Sequence, residues 1–145
     1  MKKTIQQLSV FVENTKGRMA EITKVIGEAG VDIRALSVAD TSDFGILRLI
    51  VNDPEIATKA LQDAGMMVSI TEVIAVGIKD APGAFAEVVS IISAADINIE
   101  YMYAFISRTD KRAFVIMRVD DNDAGIAALE KKGVYLLKSD EVYNI

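Results

Sequence analysis

A chain that repeats itself within 145 residues can fold only into two small, alike units, and this one repeats itself along its length. Displaced by 66 positions, Val10 meets Val76, Gly17 meets Gly83, Ala20 meets Ala86 and Glu21 meets Glu87. Ile26 meets Ile92, Ala29 meets Ala95 and Ile33 meets Ile99 in the same register. A two-residue insertion near Arg108–Arg112 moves the displacement to 68, after which Val51/Val119, Asp53/Asp121, Leu61/Leu129 and Gly65/Gly133 align. The substitutions between matches keep their apolar character (Leu8/Ile74, Val12/Ile78, Met19/Phe85), so the pattern itself is duplicated.

Each copy reads the same way. Leu8, Val10 and Val12 alternate as Ile74, Val76 and Ile78 do, the period of a half-buried strand. Met19, Ile22, Val25, Ile26 and Ala29 recur at helical spacing, mirrored by Phe85, Val88, Ile91, Ile92 and Ala95. Strands are expected over Ile33–Thr41 and Gly45–Val51, and over Ile97–Ser107 and Arg112–Val119. Asp53-Pro54 opens a second helix with a capping side chain and a proline in its first turn. Gly65 and Gly133 close that helix in each copy, and a last strand completes the unit.

The result is βαββαβ twice, an α+β chain of two ferredoxin-like domains, residues 1–71 and 72–145. First strands are expected to begin near Gln6 and Glu72. Strand runs almost directly into strand near Ile70–Val73, so the antiparallel sheets are expected side by side with the helices on one face.

Composition removes several functions. There is no cysteine and no histidine, so thiolate chemistry, disulfides and the commonest general base and metal ligand are absent from the sequence. No catalytic residue, metal site or cofactor is assigned. The net charge of −5 and pI near 4.8 oppose nucleic acid and anionic membranes. The N-terminus turns polar where a signal peptide would stay apolar, so the chain reads as soluble and cytoplasmic. A mean hydropathy of +0.29 points to apolar surface covered by a second subunit. Tyr101, Tyr103 and Phe105 alternate with Met102 and Ala104; with Met102 toward the helices, the aromatics line the open sheet face together with Phe11, Ile46, Ile50, Phe114 and Ile116. A homodimer is expected through that face, a two-sided core being the alternative.

Chemistry concentrates in the first strand-to-helix turns, Glu13–Met19 and Lys79–Phe85. Each sets a short polar side chain, Asn14 or Asp80, three residues before a glycine that starts a helix. Free N–H groups there attract anions, and a glycine lets a carboxylate approach the backbone. The returning turns place Asp32 and Asn98 at matching positions. Plainer readings stand beside these: Asn14 and Asp80 as helix caps, Gly17 and Gly83 as turn residues, and Asp32 and Asn98 as turn-satisfying side chains. Arg18 opposes the helix dipole and either helps hold an acidic ligand or is solvated. Glu21 and Glu87 read as solvated carboxylates.

The segments Asp80-Ala81-Pro82-Gly83-Ala84-Phe85 and Asp96-Ile97-Asn98-Ile99 resemble the ACT domain, a regulatory module of amino-acid metabolism, and Asn14-Thr15-Lys16-Gly17-Arg18-Met19 fits without the usual proline. The resemblance spans both copies and implies a stand-alone tandem ACT protein. It implies a free amino acid at a seam between paired domains, its carboxylate at the backbone of Gly17, Arg18 and Met19 or of Gly83, Ala84 and Phe85. It implies that Asn14, Asp32, Asp80 and Asn98 take the ammonium. The function so implied is non-catalytic regulation of an enzyme of amino-acid metabolism; the alternative is a ligand-free subunit that stabilises a partner enzyme. A free-standing enzyme ranks behind both for want of a catalytic constellation.

Overall fold

The computed structural model describes residues 3–40, 43–106 and 112–143. Thr41, Ser107 and the insertion at 108–111 lie outside the described residues. The chain divides into two compact units, one of Gln6–Thr71 and one of Glu72–Tyr143 to which Thr4 and Ile5 also belong.

The first unit holds β1 (Thr4–Glu13), α1 (Arg18–Glu28), β2 (Ile33–Asp40), β3 (Phe44–Val51) and α2 (Pro54–Asp63), and ends in the start of β4 (Val68–Lys79). β3 lies between β1 and β2, antiparallel to both, with Val10 opposite Leu47 and Val38 opposite Leu47 on its other side. The Phe11 N–H donates to the Met67 carbonyl at 3.0 Å, which brings the entry of β4 beside β1. Alternation works as its period requires. Leu8, Val10, Val12, Leu47, Leu49 and Val51 turn one way and bury against Ile22, Ile26, Ala57 and Leu61 of the helices. Complete burial of such a side chain contributes about 1.5–3 kcal/mol.

The second unit takes the rest of β4, then α3 (Ala84–Ala94), β5 (Ile99–Ile106), β6 (Arg112–Val119), α4 (Asn122–Lys131), β7 (Tyr135–Leu136) and α5 (Ser139–Tyr143). β6 pairs with β4 and β5, and β7 with β4, all antiparallel. Ile74, Val76, Ile78, Val115, Met117 and Val119 pack against Val88, Ile92 and Leu129. The helices start and stop alike in both units. Asp53 accepts from the Ile56 N–H at 3.2 Å, and Asp121 from the Ala124 N–H at 3.0 Å. Gly65 (φ +82°) and Gly133 (φ +75°) follow the ends of α2 and α4. Both units carry a register shift at the matching residue, Arg34 and Glu100.

Two features differ from the sequence expectation. β4 runs unbroken from Val68 to Lys79, so it serves as last strand of one repeat and first of the next. β7 has only two residues and is followed by the unexpected α5. Met102 does face the helices, opposite Met117, and Tyr101, Tyr103 and Phe105 take the other face. They are half-buried there, while Phe114 and Ile116 beside them are 2% and 0% exposed. Tyr135 packs on this face too: a Cβ added to Gly77 would stand 2.9 Å from its ring. Its hydroxyl donates to Glu141 of α5, and Val142 of α5 is fully buried. The C-terminal segment therefore covers part of a face that the sequence left open.

The Tyr135 hydroxyl holds the Glu141 carboxyl below its ordinary range against the opposing effect of burial, helped by the Lys138 N–H and charge. A carboxylate lowered in the folded state stabilises fully above its unfolded value and ceases to as pH falls through the folded one. Melting curves from about pH 7 to about pH 3 should show wild type above Glu141→Gln at neutral pH and converging with it in acid. Parallel curves would contradict the contact.

Candidate functional site

The turn into the first helix is built identically in both repeats. The Thr15 N–H donates to the Glu13 carbonyl at 2.8 Å, the Ala81 N–H to the Lys79 carbonyl at 2.9 Å. Arg18 N–H then reaches the Thr15 carbonyl at 3.4 Å, and Ala84 N–H the Ala81 carbonyl at 3.2 Å, each closing a four-residue turn. The third residue of each turn is the glycine, with φ, ψ of 86°, −9° at Gly17 and 87°, −13° at Gly83. That is the third position of a type II turn, which needs a positive φ and favours proline just before it. Pro82 occupies that preceding position in the second repeat, Lys16 in the first.

These glycines are themselves the N-cap residues. Asn14 and Asp80 are therefore not the caps, because the tight turn intervenes between them and the helix. The first bonds into the helices are Glu21 N–H to Gly17 O and Glu87 N–H to Gly83 O, both 3.0 Å. The N–H groups of Met19, Ala20, Phe85 and Ala86 have no acceptor among the described residues. Two adjacent donors at the positive end of a helix suit a carboxylate.

The returning turns also match. Asp32 N–H donates to Oδ1 of Asn52 at 2.9 Å, and Asn98 N–H to Oδ1 of Asp120 at 3.2 Å. The Asn52 and Asp120 N–H groups return bonds to the Asp32 and Asn98 carbonyls at 3.1 and 3.2 Å. The side chains that satisfy these turns are thus Asn52 and Asp120, and those of Asp32 and Asn98 stay exposed. Asp32 Oδ2 lies 3.1 Å from Arg34 Nη1.

Asn14, Gly17, Met19, Asp32, Asp80, Gly83, Phe85 and Asn98 are all exposed, with Arg18 and Ala84 half-buried. Arg18 is committed to Glu21, Nη1 to Oε2 at 3.0 Å. Within a unit the two groups of candidate residues stand at opposite ends of one helix. Eleven residues of α1 or α3 separate them by about 16 Å. One small amino acid cannot touch both groups in one unit, so a shared site requires a second domain. Among the described residues no group of acidic, histidine or cysteine side chains could hold a metal. Nor is any helix among them long and apolar enough to cross a membrane.

The chain matches the family described as "ACT domain pair" over residues 3–143 and belongs to it. A crystal structure of a protein from Bacteroides thetaiotaomicron is 40% identical, with a TM-score of 0.93, covering 99% of this chain and 98% of that one. The fold also resembles the ligand-free regulatory subunit of aspartate kinase from Thermus thermophilus, at 15% identity and a TM-score of 0.63, covering 90% of this chain and 93% of that one. No curated protein matches. The ferredoxin-type ACT fold is thus established, and ACT domains are regulatory modules.

Sequence reasoning missed the roles of Asn52 and Asp120, although the two align at the displacement of 68. It also missed a cavity in the second unit lined by Lys79, Glu87 and Lys132.

A Cβ at Gly17 or Gly83 would touch nothing within 4 Å, so only the backbone conformation resists a side chain. Gly17→Ala and Gly83→Ala should each destabilise by about 1 kcal/mol, lowering Tm by about 3 °C. Gly27→Ala, in the exposed interior of α1 with equal space, should stabilise by about 0.5–1 kcal/mol. Circular-dichroism melts check both signs, and a stabilising Gly83→Ala would contradict the turn assignment.

Proposed function

We propose that this chain is a non-catalytic regulatory protein that binds a free amino acid and modulates an enzyme of amino-acid metabolism. The observation that carries the reading is the doubled glycine turn with its pairs of unengaged N–H donors at Met19/Ala20 and Phe85/Ala86. Membership in the ACT domain pair family supports it, as does a fold shared with a regulatory subunit. The ligand carboxylate lies at one of these turns. Its ammonium meets Asp32 or Asn98, together with Asn14 or Asp80, across a seam with another ACT-type domain. A carboxylate holds an ammonium at least as well as an amide does, so an aspartate at two of the four positions fits. The binding event biases one arrangement of paired domains over another, and a partner enzyme senses that bias.

A second reading, a ligand-free subunit that stabilises an enzyme, is favoured by apolar exposure in the first unit. Phe11, Phe44 and Met67 are 46%, 48% and 74% exposed, with the two rings 5.4 Å apart. Both readings place a second protein surface against this chain, and the first includes a homodimer that buries apolar sheet face.

A thermal-shift screen of the twenty amino acids should find at least one that raises Tm. Calorimetry with that ligand should show binding about ten- to a hundredfold weaker in Asp80→Ala or Asp32→Ala. Light scattering on the same samples should give at least twice the 15.7 kDa chain mass. Absence of binding at millimolar amino acid would favour the interaction subunit, and unchanged affinity in both variants would place the site elsewhere.

A further inference from the structure

Each unit lays one cross-strand row of side chains on the sheet face away from its helices, and the two repeats fill that row differently. In the first unit the row is Ala39, Ile46, Phe11 and Met67. Ile46 pairs with Ala39 on one side and Phe11 on the other, and the Phe11 N–H donates to the Met67 carbonyl. Val10 and Val12 pack on the helices, so Phe11 between them faces the other way. By the displacements of 66 and 68 the second unit has Phe105, Phe114, Gly77 and Tyr135, paired in the same order.

The exchange of Phe11 for Gly77 decides what each row can do. Gly77 leaves space over the sheet, and the Tyr135 ring lies in it beside Phe114. That row closes on itself. In the first unit Phe11 fills the matching space, its ring 5.4 Å from that of Phe44. Met67 stands out instead, the most exposed large apolar side chain among the described residues. Beside it is a hollow of about 180 Å³ lined by Ser9, Phe11, Ile46, Val68 and Ser69. An apolar cavity of roughly 150 Å³ holds a benzene ring, so this hollow has room for a methionine side chain. The neighbouring row is Ser37, Arg48 and Ser9, two short side chains around an arginine that already has a partner.

We propose that this face of the first unit is the contact between two copies of this chain. They pack sheet to sheet about a two-fold axis, each Met67 seated in the hollow of the other copy. The inference rests on the reading above, that a homodimer buries apolar sheet face, and assigns the patch. A two-fold contact uses the same patch twice, so that patch must be complementary to itself. Here a projecting side chain and a hollow that fits it lie side by side. Charge favours the same choice, since a chain of net charge −5 tends to repel its own copies and these two rows carry no carboxylate. Area sets the strength. Strand and residue spacings give the two rows about 300 Å² per copy. A standard interface buries roughly 800 Å² per partner, so the dimer is weak, with Kd about 10–100 µM. The second unit takes no part, because Tyr135 already occupies the equivalent place.

Sedimentation velocity on the full chain, from about 1 to about 500 µM, tests this. Wild type should pass from monomer to dimer within that range. Met67→Asp, at a side chain too exposed to disturb the core, should weaken association at least about tenfold by forcing a carboxylate into each hollow. Phe11→Gly combined with Met67→Tyr installs the second unit's residues and should close the face, with the same loss of dimer. A circular-dichroism melt of each variant separates lost contact from lost fold. Leu36→Asp, on the exposed outer strand β2 and opposite Leu49 on the helix side, should leave Kd unchanged. A monomer at every concentration would overturn the proposal, as would wild-type association in Met67→Asp. Association kept in Met67→Asp and lost in Leu36→Asp would move the contact to the strand edge, dismissing this face and leaving the homodimer reading in place. Amino-acid binding is read separately by thermal shift, so its absence would count against the seam site alone.

Discussion

One backbone conformation, a left-handed glycine at the mouth of the first helix, organises the chemistry of both units. With φ near +87° at Gly17 and Gly83, strand turns into helix within four residues. The turn takes up the N–H of the helix's first residue and leaves those of the second and third without an acceptor among the described residues. A longer loop with a conventional serine or aspartate cap would have satisfied a donor internally and lessened the pull on an anion. The glycine cap leaves those donors to whatever approaches. Packing holds the arrangement in place: Ile22 and Ile26, or Val88 and Ile92, anchor the helix on the sheet one turn away.

The two units share this backbone and differ in what surrounds it. Pro82 fixes the second turn where Lys16 leaves the first freer, since proline already has the φ that the position needs. The first unit closes an ion pair, Arg18 with Glu21, where the second opens a cavity. Tyr135 lies over Gly77 and is held by Glu141, whereas its counterpart Met67 is 74% exposed beside Phe11. A duplicated scaffold has thus been given a tyrosine held over one sheet face and an exposed methionine at the matching place in the other, and two differently charged ends.

Most of the fold was legible because its signals are local. The Leu8/Val10/Val12 alternation, the Ile22/Ile26 spacing and the Asp53 cap each act within a few residues, and the duplication repeats all three in the second copy. β7 and α5 were illegible for the same reason, since neither two residues nor five can display a period. The site was half legible. Gly17 and Gly83 could be read as turn glycines because few other residues adopt that φ. The separation of Asn14 from Asp32 along α1 became plain only when the helix was built. Lys79 and Lys132 are far apart in sequence and join one cavity only through the fold.

The central claim is that the unengaged donors of the glycine turns receive a ligand carboxylate. A backbone-amide NMR titration of the full chain with neutral amino acids tests it most directly. The account predicts that, for a ligand that binds, the amides of Met19 and Ala20 or of Phe85 and Ala86 shift first, together with Asp32 or Asn98. A neutral amino acid that binds and leaves all of those amides in place would contradict it.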